Sequence, residues 1–221
     1  LCFQAAAEDV GGTLAENTTW SAGEYNITST VTIPEGVTLT IQEGAQISQN
    51  SQDYRAFEVN GVILATGAIF NLKTFTDWTG GDRPDERRSA INLYGNASGT
   101  FTRCQFYGTE YHHHSGEYYD DWASLITAGN TSSLTVKGCT FESTNAYNGY
   151  VTVYGIFTYG GSTVTIGNDG ATRTSFKNFR CGIGWEFGDG VQEVAVCDFT
   201  DCGVNTRVWG TVKNQLYLNN P

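Results

Sequence analysis

The feature that most constrains this chain is that it repeats itself. A short apolar strand closing near a glycine recurs as "FEVNG" (57–61), "INLYG" (91–95), "ITAGN" (126–130), "IFTYG" (156–160), "IGWEFG" (183–188) and "VWG" (208–210). The starting positions are 34, 35, 30, 27 and 25 residues apart. The middle copies are each followed by a second element: "GTFTRCQFYG" (99–108), "SSLTVKGCTFES" (132–143), "TRTSFKNF" (172–179) and "QEVAVCDFTDCG" (192–203). Three of these carry Cys-X-Phe, at Cys104/Phe106, Cys139/Phe141 and Cys197/Phe199. In the fourth, Lys177 and Phe179 fall in the same frame. Equivalent residues that return once per turn mark a solenoid.

The local pattern names the element. In "TSTVTIPEGVTLTIQEGAQIS" (28–48), Val31 and Ile33, then Val37, Leu39 and Ile41, then Ala45 and Ile47 alternate with polar residues. Period-two alternation with β-branched residues reads as strand. Pro34-Glu35-Gly36 and Gln42-Glu43-Gly44 are the breaks, and neither is an Asn-Gly or Asp-Gly hairpin. They read as corners of a coil that keeps winding one way. An antiparallel sandwich would also place turns every few residues, but has no reason to repeat Cys-X-Phe at this spacing. The expected fold is all-β: a parallel β-helix of about six main turns with two long loop insertions.

Trp20, Tyr25, Ile27, Val31, Ile33, Pro34, Gly36, Val37, Leu39, Ile41, Gly44 and Ile47 form "W…Y.I…V.IP.GVTLTI..G..I". This resembles the opening coil of right-handed parallel β-helix proteins of the pectate-lyase-like superfamily, and the Cys-X-Phe rungs look like that family's stacked interior. The resemblance spans roughly 18–218 and implies a right-handed coil. It is weak for function, because the family includes polysaccharide lyases and hydrolases, tailspikes, adhesins and surface-layer or filament components. The expected organisation is an N-terminal segment and cap over 1–27, the β-helix over 28–218, and a tail over 219–221.

Charge narrows the partners. Twelve Lys and Arg stand against 23 Asp and Glu, a net charge of -11, which argues against nucleic acid and anionic membranes. No run of 18 apolar residues occurs, so no membrane insertion is expected. The chain has no methionine and begins at Leu1. Removal of a secretory signal is the simplest account, and points to a secreted or cell-surface protein. Asn17, Asn26, Asn96 and Asn130 lie in Asn-X-Ser/Thr sequons and are the candidate glycosylation sites.

None of the six cysteines forms CxxC, and no Cys/His group has zinc spacing. Equivalent positions on adjacent turns lie about 4.8 Å apart, inside the span a disulfide tolerates. Cys104 with Cys139, and Cys181 with Cys202, are therefore candidate disulfides or pairs of buried thiols. Cys197, with Lys177 in the frame below it, and Cys2 are left without an assigned partner.

Two insertions carry the chemistry: "TFTDWTGGDRPDERRSA" (74–90) and "YGTEYHHHSGEYYDDWAS" (107–124). They belong to successive turns. Trp78, Arg87, Arg88, Tyr111, Tyr118, Tyr119 and Trp122 are the candidate interface or glycan contacts. Tyr, Trp and Arg anchor protein interfaces, and the aromatics could equally stack on sugars beside paired carboxylates. His112 and His114 share a face of a strand and, with Glu117, Asp120 and Asp121, form a candidate metal set. Clustered carboxylates would favour Ca2+, although no calcium-loop motif is present. No catalytic residue and no other cofactor is assigned. Asp169, Asp189 and Asp201 sit near glycines and read as corner residues.

A solenoid has two open ends, and neither terminus offers a convincing helical cap. The expected function is an extracellular structural subunit that self-associates through its ends and aromatic loops into a filament, tube, sheath or surface layer. The alternatives are a polysaccharide-binding or polysaccharide-cleaving β-helix and an adhesin or receptor-binding module.

Overall fold

The computed structural model describes residues 6–77, 89–113, 123–144 and 154–212. An outer strand β1 (Glu8–Thr13) precedes the first coil, made of β2 (Thr18–Trp20) and the long β3 (Gly23–Ile33). Each later coil contributes three strands. The second holds β4 (Thr38–Ile41), β5 (Ala45–Gln49) and β6 (Phe57–Val59), and the third β7 (Val62–Thr66), β8 (Ile69–Asp77) and β9 (Ser89–Leu93). The fourth holds β10 (Ser98–Thr102), β11 (Gln105–His113) and β12 (Ser124–Ala128). The fifth holds β13 (Ser133–Lys137), β14 (Thr140–Ser143) and β15 (Tyr154–Thr158). β16 (Thr163–Gly167), β17 (Thr174–Lys177) and β18 (Cys181–Gly188) form the sixth; β19 (Gln192–Val194), β20 (Cys197–Thr200) and β21 (Val204–Val212) the seventh.

The first strands of successive coils stack into a 7-stranded sheet, β19-β16-β13-β10-β7-β4-β2. The second and third strands form a 14-stranded sheet folded through β3, whose first residues pair with β5 and whose last pair with β6. The pairings between coils are parallel. The chain is thus an all-β parallel solenoid wound around one core, and the breaks at Pro34-Glu35-Gly36 and Gln42-Glu43-Gly44 are corners between sheets. The six apolar repeats are the third strands of coils two to seven; the end of β3 makes a seventh rung that the repeat alone does not show.

The corner before each second strand explains the cysteines. Gly44, Gly67, Arg103, Gly138 and Val196 adopt positive φ (86, 59, 53, 62 and 56°). Each precedes a small buried residue: Ala45, Ala68, Cys104, Cys139 or Cys197. One left-handed residue turns the chain, and the next must be small to pack against its equivalents one coil away. Cysteine here acts as a small apolar side chain. Two residues later the register stacks Phe70, Phe106, Phe141, Phe176 and Phe199. Their rings lie 4.7, 4.6, 4.9 and 5.3 Å apart between successive centroids, within 13° of parallel.

This register corrects one sequence expectation. Cys197 pairs with Thr174, and Phe199 with Phe176, not with Lys177 and Phe179. Thr174 takes the place of cysteine in the column, and its hydroxyl accepts the Cys139 N–H at 3.3 Å. Phe179 is a second buried ring, edge-on to Phe176. Lys177 faces outward and bonds Glu142 on the adjacent coil at 2.8 Å.

The five described cysteines are free thiols. Of the two readings for Cys104 and Cys139, stacked buried thiols is the one observed: the Cys104 N–H donates to Cys139 Sγ at 3.4 Å. Cys181 and Cys202 are not stacked. Cys181 lies opposite Val204, two positions beyond Cys202. Their thiols turn to different carbonyls, those of Ile183 and Phe176.

Burial, then the neighbouring Asp198, push the Cys197 thiol from 9.0 up to about 12. The folded state therefore keeps it protonated after the unfolded chain has begun to ionise. Its stabilising contribution is complete below pH 9.0 and is lost as pH climbs toward about 12. Urea unfolding across that range should show wild type losing about 1 kcal/mol per pH unit relative to Cys197→Ala. Parallel pH profiles would contradict the assignment.

Candidate functional site

Two regions of the solenoid depart from plain coil packing. The first is the corner between second and third strands. β8 and β11 run in register to their ends, pairing Phe75 with Tyr111, Thr76 with His112 and Asp77 with His113 along the backbone. The chain resumes at Ser89 and Ser124, which also pair. Segments 78–88, 114–122 and 145–153 therefore join equivalent strands of three consecutive coils, where the sequence pattern suggests two such insertions. The corresponding corner of the second coil is short and pinned. Gln49 Nε2 donates to the Asp53 carbonyl at 2.9 Å, and Asp53 Oδ2 accepts the Thr30 N–H at 2.8 Å.

Of the residues singled out from the sequence, Tyr111 and His112 lie on β11 and are placed by backbone register only. Trp78, Arg87, Arg88, His114, Glu117, Tyr118, Tyr119, Asp120, Asp121 and Trp122 lie outside the described residues. Among the described residues no group of three or more His, Cys, Asp or Glu could hold a metal ion.

The strands beside this corner are buried on both faces, which the sequence reading missed. β9, β12 and β15 are buried along their whole length. Ser124 Oγ and Thr127 Oγ1 are 2.6 Å apart, and both residues are fully buried. Tyr154, Phe157 and Cys181 form a second apolar cluster separate from the main core, with the two rings 5.1 Å apart. The signal was available: "ASLITA", "YGIFT" and "CGIGWEF" lack polar alternation, as expected of strands covered on both sides. Asn92, Ser89, Ser124 and Thr127 make this floor polar but uncharged. Among the described residues it offers hydrogen bonds and an aromatic wall.

The second region is the set of open strand edges at the two ends of the solenoid. β1 has the sequence EDVGGT, is almost wholly exposed, and among the described residues pairs with β3 alone. Its register slips between Val10 and Gly12, where Gly12 has φ of 77°. A Cβ at Gly11 would stand 2.3 Å from Ser29 Oγ, so glycine lets β1 close on β3. Beneath it, Trp20 and Tyr25 stack at 4.9 Å and plug the core. At the far end, among the described residues, β21 pairs with β18 and β20 with β17, and both are terminal strands. These strands belong to the 14-stranded sheet. The β1 edge begins with Glu8 and Asp9, whereas β21 contains Arg207.

Charges elsewhere serve the coil. Asp169 accepts the N–H groups of Thr172 and Ala171 at 2.8 and 3.3 Å, forming the corner turn that its sequence context suggests. Those bonds, led by Thr172 and aided by Arg103, hold its carboxyl below the usual range. Among the sequons, Asn17 and Asn96 are exposed; the Asn17 Oδ1 accepts the Thr38 N–H, and the Asn96 Oδ1 accepts the Thr131 hydroxyl. No family model, curated protein or solved structure matches the chain.

Proposed function

We propose that this protein is an extracellular structural subunit that polymerises head to tail, the β21 edge of one copy pairing with the β1 edge of the next. The observation that carries this reading is that, among the described residues, the 14-stranded sheet has open strand edges at both ends of the solenoid, β1 on the first coil and β20 and β21 on the last. An edge strand presents a row of unpaired N–H and C=O groups that template another strand. Pairing unlike ends is heterologous, and where the rotation does not close it builds a filament. The aromatic segments at the long corner would supply lateral contacts, and glycans on Asn17 and Asn96 would keep parts of the lateral surface free.

Negative-stain electron microscopy of the purified chain at neutral pH is the test. The expected result is regular fibres or tubes, lost on deletion of residues 1–12 while the β-rich circular dichroism persists. Dispersed monomers of the undeleted chain would refute self-assembly, and fibres from the truncated chain would remove β1 from the contact.

A further inference from the structure

The seven-stranded sheet carries on its outer face an array that neither the core nor the edges explain. Its inward residues, such as Leu39, Ile63, Phe101, Leu134 and Val164, are fully buried or nearly so. The outward ones form straight columns. Thr40, Leu64, Thr100, Thr135 and Thr165 pair in unbroken succession. Beside them Thr38, Val62, Ser98, Ser133 and Thr163 do the same, and none of these pairings contains a register shift. The result is a two-dimensional lattice of hydroxyl and methyl groups, with about 4.8 Å between coils and about 6.6 Å between columns.

The middle of the face is uncharged. Those ten positions, from β4 to β16, hold no Asp, Glu, Lys or Arg, in a chain with a net charge of -11; Lys137 flanks them on β13 and Glu193 continues the first column on β19, opposite Thr165. The lattice itself therefore suits a neutral partner. Protein interfaces draw their energy from Tyr, Trp and Arg, with Ser and Thr poorly represented, and no aromatic or Arg stands in either column. Crystalline polysaccharides need flat aromatic rings to stack on, which are equally lacking. Ordered water remains. Regular hydroxyls hold first-shell waters at fixed points at small entropic cost, and interleaved methyl groups with Leu64 and Val62 confine the waters between them. The spacing between coils is close to the repeat of hexagonal ice along its a axis.

We propose that this face binds ice, seating a water layer that merges with the crystal lattice. The reading is independent of the strand edges, because it uses a different sheet and needs no second copy. The test is an ice-recrystallisation and crystal-shaping assay on the full chain, with Thr135→Tyr in the centre of the lattice and Gln105→Tyr on another ladder. Wild type and Gln105→Tyr should suppress recrystallisation and facet growing crystals, and Thr135→Tyr should lose both effects with unchanged circular dichroism. Should the tyrosine disturb folding, Thr100→Arg on the same outward column gives the same readout. Inactive wild type, or full activity in a folded Thr135→Tyr, overturns the proposal. Dimers in ultracentrifugation that Thr135→Tyr dissolves would make the face an interface between copies. Retention on microcrystalline cellulose that Thr135→Tyr abolishes would make it a polysaccharide surface.

Discussion

Replacing Phe141 with alanine should cost about 3–5 kcal/mol of stability, enough to unfold many domains of this size. Phe141 is the middle ring of the stack, 4.6 Å from Phe106 and 4.9 Å from Phe176, and has no exposed surface. Alanine removes the buried ring, leaves a cavity, and breaks two stacked contacts worth roughly 0.5–1.5 kcal/mol each beyond their area. The position magnifies the effect. In a solenoid each coil touches only its neighbours, so stability is close to a sum of nearest-neighbour terms. A hole in the fifth coil weakens the coupling between the four coils before it and the two after it. Denaturation of Phe141→Ala should therefore lose its single sharp transition as well as its midpoint. Phe199→Ala, at the partly exposed end of the same stack, should cost less than half as much and keep one transition. A loss under about 1 kcal/mol at Phe141 would mean that the ring stack is not what holds the coils together.

The stack also shows how far the fold could be read from the sequence. Cys-X-Phe was visible because cysteine is rare and the pair recurs at coil spacing. Its fourth copy was misplaced because "TSFKNF" offers two phenylalanines in overlapping frames, and the coil uses the one after Thr174. What the column selects is a small side chain, at most coils after a left-handed residue, and Ala45, Ala68 and Thr174 meet the size demand without resembling cysteine. Reading the column as a size constraint would have found the register. The same distinction dissolves the disulfide candidates: Cys181 and Cys202 share a following glycine in sequence but not a rung in space. The candidate site was less legible still. Composition located the aromatic and charged segments, and strand register places their flanks on one corner. The double burial of β9, β12 and β15 depends on what lies outside the coil, which a period along the chain does not encode.

Gly61→Ala should rival the loss at Phe141 through a different cause. Gly61 links β6 to β7 beneath the Pro34–Val37 corner, donating its N–H to the Ile33 carbonyl at 2.9 Å and accepting the Ser98 N–H at 2.9 Å. A Cβ there would stand 2.3 Å from the carbonyl oxygens of both Pro34 and Val37. Both obstacles are backbone, so no side-chain rotation relieves them. The corner must open, and the parallel bond from the Val62 N–H to the Val37 carbonyl opens with it. Overpacking that moves the backbone costs about 1–3 kcal/mol and occasionally more, and two simultaneous backbone clashes put Gly61 at the upper end. Gly36, in the same corner, is the control. It has φ of 81°, and a Cβ added there would meet nothing within 4 Å, so alanine faces only the left-handed backbone penalty of about 1–2 kcal/mol. Gly36→Asn should recover part of that, because asparagine tolerates the left-handed region, whereas Gly61→Asn should be no better than Gly61→Ala. If both glycines responded alike, and asparagine rescued both, backbone conformation rather than the close approach of successive coils would set the corner. The coil spacing would then be fixed by the core alone, and the even lattice on the outer face of the seven-stranded sheet would survive any change at the corners.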